Sequence, residues 1–241
     1  MDPKSYGLNV SELKGDTRLV TPCYLIVHPQ GTLLWEVGQV ADASIPDDGT
    51  EVVEQGVLKA TRRLNSQLAA LGYQPADIKY MAMSHHHADH SANSNTFAGS
   101  TWIVQQAEYD LMFSAAAAET GIPASYADLK GAKRITVNNT DHDVFGDGTV
   151  VIKFAPGHTP GHQVLLLNLR RFGPLLLMGD LYHLPEQRTL DRVPTYDFNG
   201  ALTRATRKSL DEFIRRTGAQ AWIQHDPVTY ASLKKAPAYY D

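Results

Sequence analysis

The chain contains 241 residues, of which 43% are hydrophobic, and carries a net charge of −4. This length can bury the core of one domain or of two closely joined halves, whereas the acidic balance argues against a nucleic-acid partner. No stretch approaches the roughly 20 apolar residues that a membrane helix needs, and the first residues lack a basic start followed by an apolar signal core. We therefore expect no membrane partner and a cytoplasmic location, with a mature secreted or periplasmic form as the alternative.

The first half of the sequence predicts a sheet backed by helices. Apolar runs predict strands at 19–27, 32–36 and 78–84, with an amphipathic helix ending near Leu71 before the third. A strand near 101–104 precedes a helical region from 106 to about 119, which the Gly121-Ile122-Pro123 segment is expected to end. The single cysteine, Cys23, lies in the first apolar run, which indicates a buried packing role.

The second half predicts another sheet. Strands are expected at 149–155, 164–169 and 175–178, followed by a helix at 202–216 that stops at Thr217-Gly218 and a last strand at 221–224. Two β-rich halves with flanking helices fit an αββα sandwich of the α/β (α+β) class. No linker composition separates the halves, so we expect a single domain over residues 1–241.

A cluster of potential metal ligands follows the strand predicted at 78–84. The residues from His85 to His90 read His-His-His-Ala-Asp-His. Imidazole nitrogen and carboxylate oxygen are the donors that zinc and similar divalent cations take. In an extended segment His85 and His87 share a side, while Asp89 and His90 can turn toward a second point. The spacing therefore allows two metals side by side, with His86 pointing away.

Three further strand ends also carry His or Asp. His158 and His162 follow the strand at 149–155, Asp180 follows the strand at 175–178, and His225 follows the last strand. A carboxylate after an apolar strand faces a desolvation cost unless it is paired or metal-bound, which favours Asp180 as a shared ligand.

These motifs resemble the metallo-β-lactamase superfamily, and SHHHADH, APGHTPGHQ, GDLYH and IQHDP are most similar to its N-acyl homoserine lactonases. The resemblance covers nearly the whole chain. It implies His85, His87 and His158 on one divalent metal, Asp89, His90 and His225 on a second, and Asp180 bridging both. It also implies that His162 supports the ligands without binding metal. Zinc is the expected metal, with cobalt, manganese or iron as alternatives.

The sequence departs from that family at three places. Glu36 stands where the family often has aspartate, and Ser91-Ala92-Asn93 replaces a common Gly-Gly, which argues against the thioesterase branch. Characterised lactonases have a substrate-binding tyrosine three residues after the bridging aspartate, whereas here His183 holds that position and Tyr182 precedes it. Adjacent residues of a strand point to opposite faces, so only one of the two is expected to face the metals.

The resemblance implies a hydrolase that opens lactone rings such as those of N-acyl homoserine lactones, a quorum-quenching activity. A hydroxide shared by two metals would attack the carbonyl carbon, and Asp89 would assist proton transfer to the leaving alkoxide. Tyr182 or His183 would contact the substrate, and Phe97, Met112, Phe113 and Phe198 could wall an acyl chain. The alternatives are hydrolysis of other esters, β-lactams or phosphotriesters, and a non-catalytic metal-binding or signal-sensing protein. The apolar residues near the end of the chain, Ala238-Tyr239-Tyr240, are compatible with a homodimer.

Overall fold

A computed structural model describes residues 2–14, 18–54, 58–120 and 123–241 of the chain. Its internal contacts divide the chain into two units, one formed by residues 21–138 and the other by residues 1–20 together with 139–241. Each unit contains its own sheet and its own apolar core. The expectation of a single domain over 1–241 stays a prediction, and the Gly121-Ile122 part of the expected helix stop lies outside the described residues.

The unit of residues 21–138 contains a five-stranded mixed sheet. Its elements are β1 (Tyr24–His28), β2 (Gly31–Trp35), β3 (Val52–Glu54), β4 (Leu58–Ala60), α1 (Leu64–Ala69), β5 (Tyr80–Ala82), α2 (Ala88–Ser91), β6 (Thr101–Gln105), α3 (Gln106–Met112), α4 (Ala115–Thr120) and β7 (Arg134–Val137). Short 3-10 turns also occur at Asp42–Ser44, Pro75–Asp77, Ser94–Phe97 and Ala127–Gly131. The sheet order is β1-β2-β5-β6-β7, and β3 and β4 form a separate two-stranded sheet.

Strand direction decides where this unit presents its polar residues. Strand β1 runs antiparallel to β2, whereas β2, β5, β6 and β7 are parallel to one another. The carboxyl ends of β2 and β5 therefore meet at one edge, with Trp35 beside Ala82. Leu34, Met81 and Trp102 of the sheet pack in one core cluster with Leu68 of α1 and Met112 of α3, which fixes these helices on the sheet.

The second unit contains another five-stranded sheet, in the order β12-β11-β10-β9-β8. Its elements are β8 (His142–Asp143), β9 (Val150–Phe154), β10 (Gln163–Leu169), β11 (Gly173–Leu177), α5 (Pro185–Leu190), α6 (Gly200–Thr217), β12 (Gln220–Trp222) and α7 (Pro227–Ser232), with 3-10 turns at Pro3–Tyr6, Val10–Glu12 and Gly179–Leu181. Strands β8 to β11 pair antiparallel, and β12 joins β11 in parallel, so the chain leaves β11 and β12 at the same edge.

Helix α6 closes the core of this unit. The Asn199 side chain accepts a hydrogen bond from the backbone N–H of Leu202 and so caps the first turn. Leu210 of the helix packs with Val164, Leu176 and Met178 of the sheet. The predicted stop at Thr217-Gly218 is confirmed, because the helix ends at Thr217 with Gly218 as its C-cap.

The main strands and the long helix were predicted to within a few residues, and two differences have local causes. Strand β1 begins at Tyr24 instead of residue 19, after Pro22, which has no N–H to donate to a ladder. The helical region predicted at 106–119 is two helices, because Phe113 leaves helical geometry and the Ser114 hydroxyl accepts from the N–H of Ala117. The β3–β4 pairing and strands β7 and β8 were not predicted. Within the described residues, no helix is both long and apolar enough to cross a membrane.

Candidate metal centre

The His85–His90 segment lies at the carboxyl edge of the first sheet. The chain leaves β5 at Ala82, and His85 follows before α2, which carries Asp89 and His90. His85 and His90 are fully buried. Nε2 of His85 lies 2.8 Å from Nδ1 of His87, and Nε2 of His90 lies 3.6 Å from Oδ2 of Asp89. The structure therefore brings these four residues together in two pairs, His85 with His87 and Asp89 with His90.

Glu36 and Ser84 contact the Nδ1 atoms of His90 and His85, respectively. The Glu36 carboxylate is buried, accepts the backbone N–H of Ser84 at 3.2 and 3.3 Å, and places Oε2 3.3 Å from Nδ1 of His90. The Ser84 hydroxyl lies 3.0 Å from Nδ1 of His85. Glu36 has a φ of 65°, a left-handed conformation that costs energy for a residue other than glycine. The longer acid thus still reaches His90.

Two other residues of this region have supporting positions. Nδ1 of His86 lies 2.6 Å from Oε1 of Glu108 in α3, while its ring centroid lies 5.0 Å from that of His87. The buried Asn93 side chain donates to the carbonyl groups of Val37 and Val40 at 2.9 and 3.1 Å. In the Ser91-Ala92-Asn93 segment, which replaces the family's Gly-Gly, Asn93 therefore connects the loop after β2 to the segment of His85–His90.

In the second unit, Asp180 lies between two histidines. It follows β11 at the edge where β12 leads to His225, while His158 lies on the loop from β9 to β10. Oδ2 of Asp180 lies 3.6 Å from Nε2 of His158, and Oδ1 lies 2.9 Å from Nε2 of His225. All three side chains are almost completely buried. A carboxylate with imidazole nitrogens close to both of its oxygens has the arrangement expected of a bridging ligand.

The far nitrogens of these histidines have their own partners. Nδ1 of His225 lies 2.8 Å from the carbonyl oxygen of Val20, and Nδ1 of His158 lies 2.8 Å from Oδ1 of Asp197. Burial acts to raise the pKa of Asp197, but the bonds from His158 and Thr203 hold it below its ordinary value. Such partners fix the tautomer and direct Nε2 toward Asp180.

Both ring nitrogens of His162 are hydrogen-bonded to backbone groups beside this site. Its Nδ1 lies 2.9 Å from the carbonyl oxygen of Ala155, and its Nε2 accepts the backbone N–H of Asp180 at 3.0 Å. Gly157 in the same loop has a φ of 137°, and a Cβ there would lie 2.4 to 2.5 Å from atoms of Thr203. Only glycine allows the loop to approach α6 so closely.

The structure separates Tyr182 from His183. The Tyr182 hydroxyl donates to Oδ2 of Asp211 at 3.3 Å, and its ring packs in the core beneath the Arg207 guanidinium. Nε2 of His183 lies 3.1 Å from Oδ2 of Asp180, and its ring stacks on that of His225. The backbone at Tyr182 is extended, so the two side chains take opposite faces. His183 is therefore the one that lies beside the ligands of this unit.

The apolar candidates for an acyl-chain wall also differ in position. Phe97 and Met112 are buried in the first core cluster, and Phe113 packs against it. These three stabilise the unit of residues 21–138 by packing. Phe198, in contrast, is 64% exposed on the segment that precedes α6. The same segment contains Tyr196 and Asp197, which sequence analysis missed because they follow no strand end and no metal motif.

The fold and these donors match a known class of protein. The model of the metallo-beta-lactamase superfamily matches residues 16–219, so the chain belongs to that superfamily. Within it, the chain is similar over nearly its whole length to N-acyl homoserine lactonases. The lactonase AttM of Azorhizobium caulinodans is 32% identical over 247 residues, which cover 99% of this chain and 94% of the relative.

Two solved structures agree. The crystal structure of a quorum-quenching N-acyl homoserine lactone hydrolase has a TM-score of 0.76 at 26% identity and covers 92% of this chain and 86% of that chain. A second N-acyl homoserine lactone hydrolase, with N-hexanoyl-L-homoserine bound at its catalytic metal centre, has a TM-score of 0.74 at 26% identity, covering 91% and 86%. The expected fold and the resemblance to lactonases are confirmed.

The donor set suits divalent metal ions. Nitrogen and carboxylate oxygen are the ligands such ions take, and His85, His90, His158 and His225 each have one ring nitrogen close to a hydroxyl, carboxylate or carbonyl oxygen. That pattern is characteristic of imidazoles held in place for a metal.

Proposed function

We propose that this chain is a dinuclear metal-dependent hydrolase that opens the ring of N-acyl homoserine lactones. The observation that carries the proposal is the placement of His158 and His225 at the two oxygens of the buried Asp180 carboxylate. The choice of substrate is supported by relatives of almost equal length that are N-acyl homoserine lactonases.

The proposed metals are zinc, held by the seven ligands that the family motifs imply. His85, His87 and His158 would hold one ion, Asp89, His90 and His225 the other, and Asp180 would bridge them. The assignment follows the family motifs at these positions and is supported within each unit by the pairing of His85 with His87, of Asp89 with His90, and of Asp180 with His158 and His225. Cobalt, manganese and iron accept the same donors.

When bound, two such ions would supply Lewis acidity and lower the pKa of water toward 7. The protein's own groups orient and transfer protons. Asp89, whose side chain is partly exposed, would assist proton transfer to the leaving alkoxide. The alkoxide of a lactone stays tethered to the acyl group, so little further machinery is required to expel it. Buried Glu36 and Asp197 keep His90 and His158 in one orientation throughout.

The test is a pH-drop assay over a panel of N-acyl homoserine lactones, together with metal analysis of the same preparation. We expect two divalent ions per chain and ring opening without release of a second product. Chelation should remove both the metal ions and the ring-opening activity. Asp180→Asn serves as the control, because an amide binds metals more weakly than a carboxylate. Intact lactones, nitrocefin and aryl esters in the presence of two bound metals would rule out a hydrolase. Hydrolysis of only the last two would reject the proposed substrate.

A further inference from the structure

A buried arginine contacts the turn that carries Asp180. Arg207 of α6 is 3% exposed, and its guanidinium reaches two backbone carbonyl groups. Nε donates to the carbonyl oxygen of Leu181 at 2.7 Å, and Nη1 donates to that of Arg192 at 2.6 Å. The guanidinium carbon also lies 4.2 Å from the centre of the Tyr182 ring. One side chain of the helix therefore joins the turn after β11 to the segment that precedes α6.

The contact with Leu181 holds the backbone beside Asp180. The N–H of Asp180 donates to Nε2 of His162 at 3.0 Å, and the carbonyl of the next residue accepts from Arg207. Backbone groups before and after the Asp180 side chain are therefore both bound by side chains from other elements. Since the carboxylate extends from this backbone, the two hydrogen bonds decide where its oxygens lie.

Helix α6 also holds the segment before it at two points. Thr203 and Arg207 are both buried and lie four residues apart, so they share one face of the helix. The Thr203 hydroxyl donates to Oδ2 of Asp197 at 2.6 Å, while Arg207 binds the carbonyl of Arg192. Oδ1 of Asp197 in turn lies 2.8 Å from Nδ1 of His158. The same helix face thus fixes the segment that orients His158 and, through Arg207, the turn after β11.

A charged side chain in this place has a cost for stability. Burial lowers the pKa of Arg207, although the negative charges of Asp197 and Asp191 act to raise it. Nη2 is buried and, among the residues that the structure describes, has no hydrogen-bond partner. An apolar residue of similar length would fill the space without this desolvation. The two carbonyl contacts are therefore what the guanidinium contributes here.

We propose that Arg207 is a positioning residue of the proposed metal centre, which fixes the turn of Asp180 relative to the segment of Asp197. The planar guanidinium sets the spacing of the two carbonyl groups. Asp180 and His158 therefore keep the separation at which Oδ2 lies 3.6 Å from Nε2. The inference rests on the proposed function, because Arg207 acts on ligands named there and not on the substrate.

Lysine in this place would keep the positive charge but not the spacing. An ammonium is a point charge on a flexible chain, whereas Nε and Nη1 belong to one rigid plane. We therefore expect Arg207→Lys to loosen both segments while the chain stays folded. The matched control is Arg204→Lys, because Arg204 lies three residues earlier on α6 and pairs with Asp191 at the surface.

Hydrogen exchange of the metal-free full chain measures this loosening. The Asp180 amide should exchange roughly tenfold faster in Arg207→Lys than in Arg204→Lys, because a lost buried hydrogen bond changes a local opening equilibrium by about that factor. The Leu166 amide, in β10 between β9 and β11, should be accelerated at least about threefold less than the Asp180 amide. Equal exchange of the Asp180 amide in the two variants would overturn the inference. Equal acceleration at Asp180 and Leu166 would also overturn it, because it would indicate general destabilisation.

Cobalt provides the readout at the metal centre. Competition with a chromogenic chelator should give a cobalt affinity roughly 10- to 100-fold weaker for Arg207→Lys than for Arg204→Lys. At saturating cobalt, the visible absorption bands of Arg207→Lys should differ from those of the wild type, because the bands report the geometry of the ligands. A residue that only stabilised the fold would leave the spectrum of the folded, saturated protein unchanged. Equal affinities or identical spectra would contradict the role of Arg207.

The wild-type protein separates this inference from the proposed function. If it bound cobalt but opened no lactone, the proposed substrate would be wrong, and the comparison of affinities would still decide the role of Arg207. If it bound no metal ion, the proposed function would fail, and exchange of the Asp180 amide would alone decide whether Arg207 fixes the turn.

Discussion

Nδ1 of His158 lies 2.8 Å from Oδ1 of Asp197, which joins the loop after β9 to the segment before α6. The carboxylate also accepts from Thr203, at 2.6 Å, and its negative charge increases the basicity of the imidazole. Neither strand spacing nor the metal motif indicates this pair. It has consequences for metal affinity that can be measured.

We predict that Asp197→Asn weakens metal binding roughly 10- to 100-fold. The amide keeps the size of the side chain but removes the charge that faces His158. Competition with a chromogenic chelator measures the affinity. The control is Asp191→Asn, because Asp191 lies on the same segment but pairs with Arg204 at the surface. Equal affinities in the two variants would show that Asp197 does not act through His158.

Glu36 is expected to act on His90 in the same way. We predict that Glu36→Gln loses about 1 to 3 kcal/mol of unfolding free energy in the metal-free protein, because the buried hydrogen bonds to Ser84 and His90 are weakened. Denaturant titration measures the change. Glu51→Gln, at a half-exposed carboxylate paired with Lys59, should change stability little. A stability equal to that of Glu51→Gln would contradict the support assigned to Glu36.

His183 and Tyr182 should separate in function as they do in space. We predict that Tyr182→Phe costs about 1 kcal/mol of stability, through loss of the bond to Asp211, while lactone turnover remains within about twofold of the wild type. His183→Asn should lower kcat by at least about tenfold, because the imidazole that contacts both Asp180 and Tyr196 is removed. Steady-state kinetics and denaturant unfolding check both. The reverse pattern would restore Tyr182 as the candidate.

The Cys23 thiol should be unreactive in the native protein. Burial, together with the negative charges of Glu36 and Asp42, raises its pKa well above the ordinary range. The unfolded thiol loses its proton near pH 8.5, so the contribution of Cys23 to stability is present below that pH and is lost as the pH rises toward the folded value. Modification by a thiol reagent at pH 9 should be slow until denaturant is added. Cys23→Ala should reduce the fall in stability above pH 8.5, and rapid modification of the native protein would contradict the raised pKa of this partly buried thiol.

Much of the fold could be predicted because its signals are local. The apolar runs around Leu33, Met81, Leu165 and Leu176 gave strands, and α6 was indicated by its pattern and by Thr217-Gly218. Strands β7 and β8 were not predicted, because a short edge strand needs no long apolar run. The break between α3 and α4 at Phe113 was not predicted, because the residues on both sides favour helix and the capping of α4 by Ser114 competes with that preference.

The sequence by itself determined which residues could bind metal, because ligands are specified by chemical type and by spacing at strand ends. It named His85, His87, Asp89, His90, His158, Asp180 and His225, and their joint role stays a proposal. Only the tertiary structure decided what supports and covers them. Asp197 and Tyr196 reach their histidines across 39 and 13 residues of sequence, respectively. The choice between Tyr182 and His183 depended on which face an extended residue presents, and a spacing count cannot fix a face when both neighbours are polar aromatic residues.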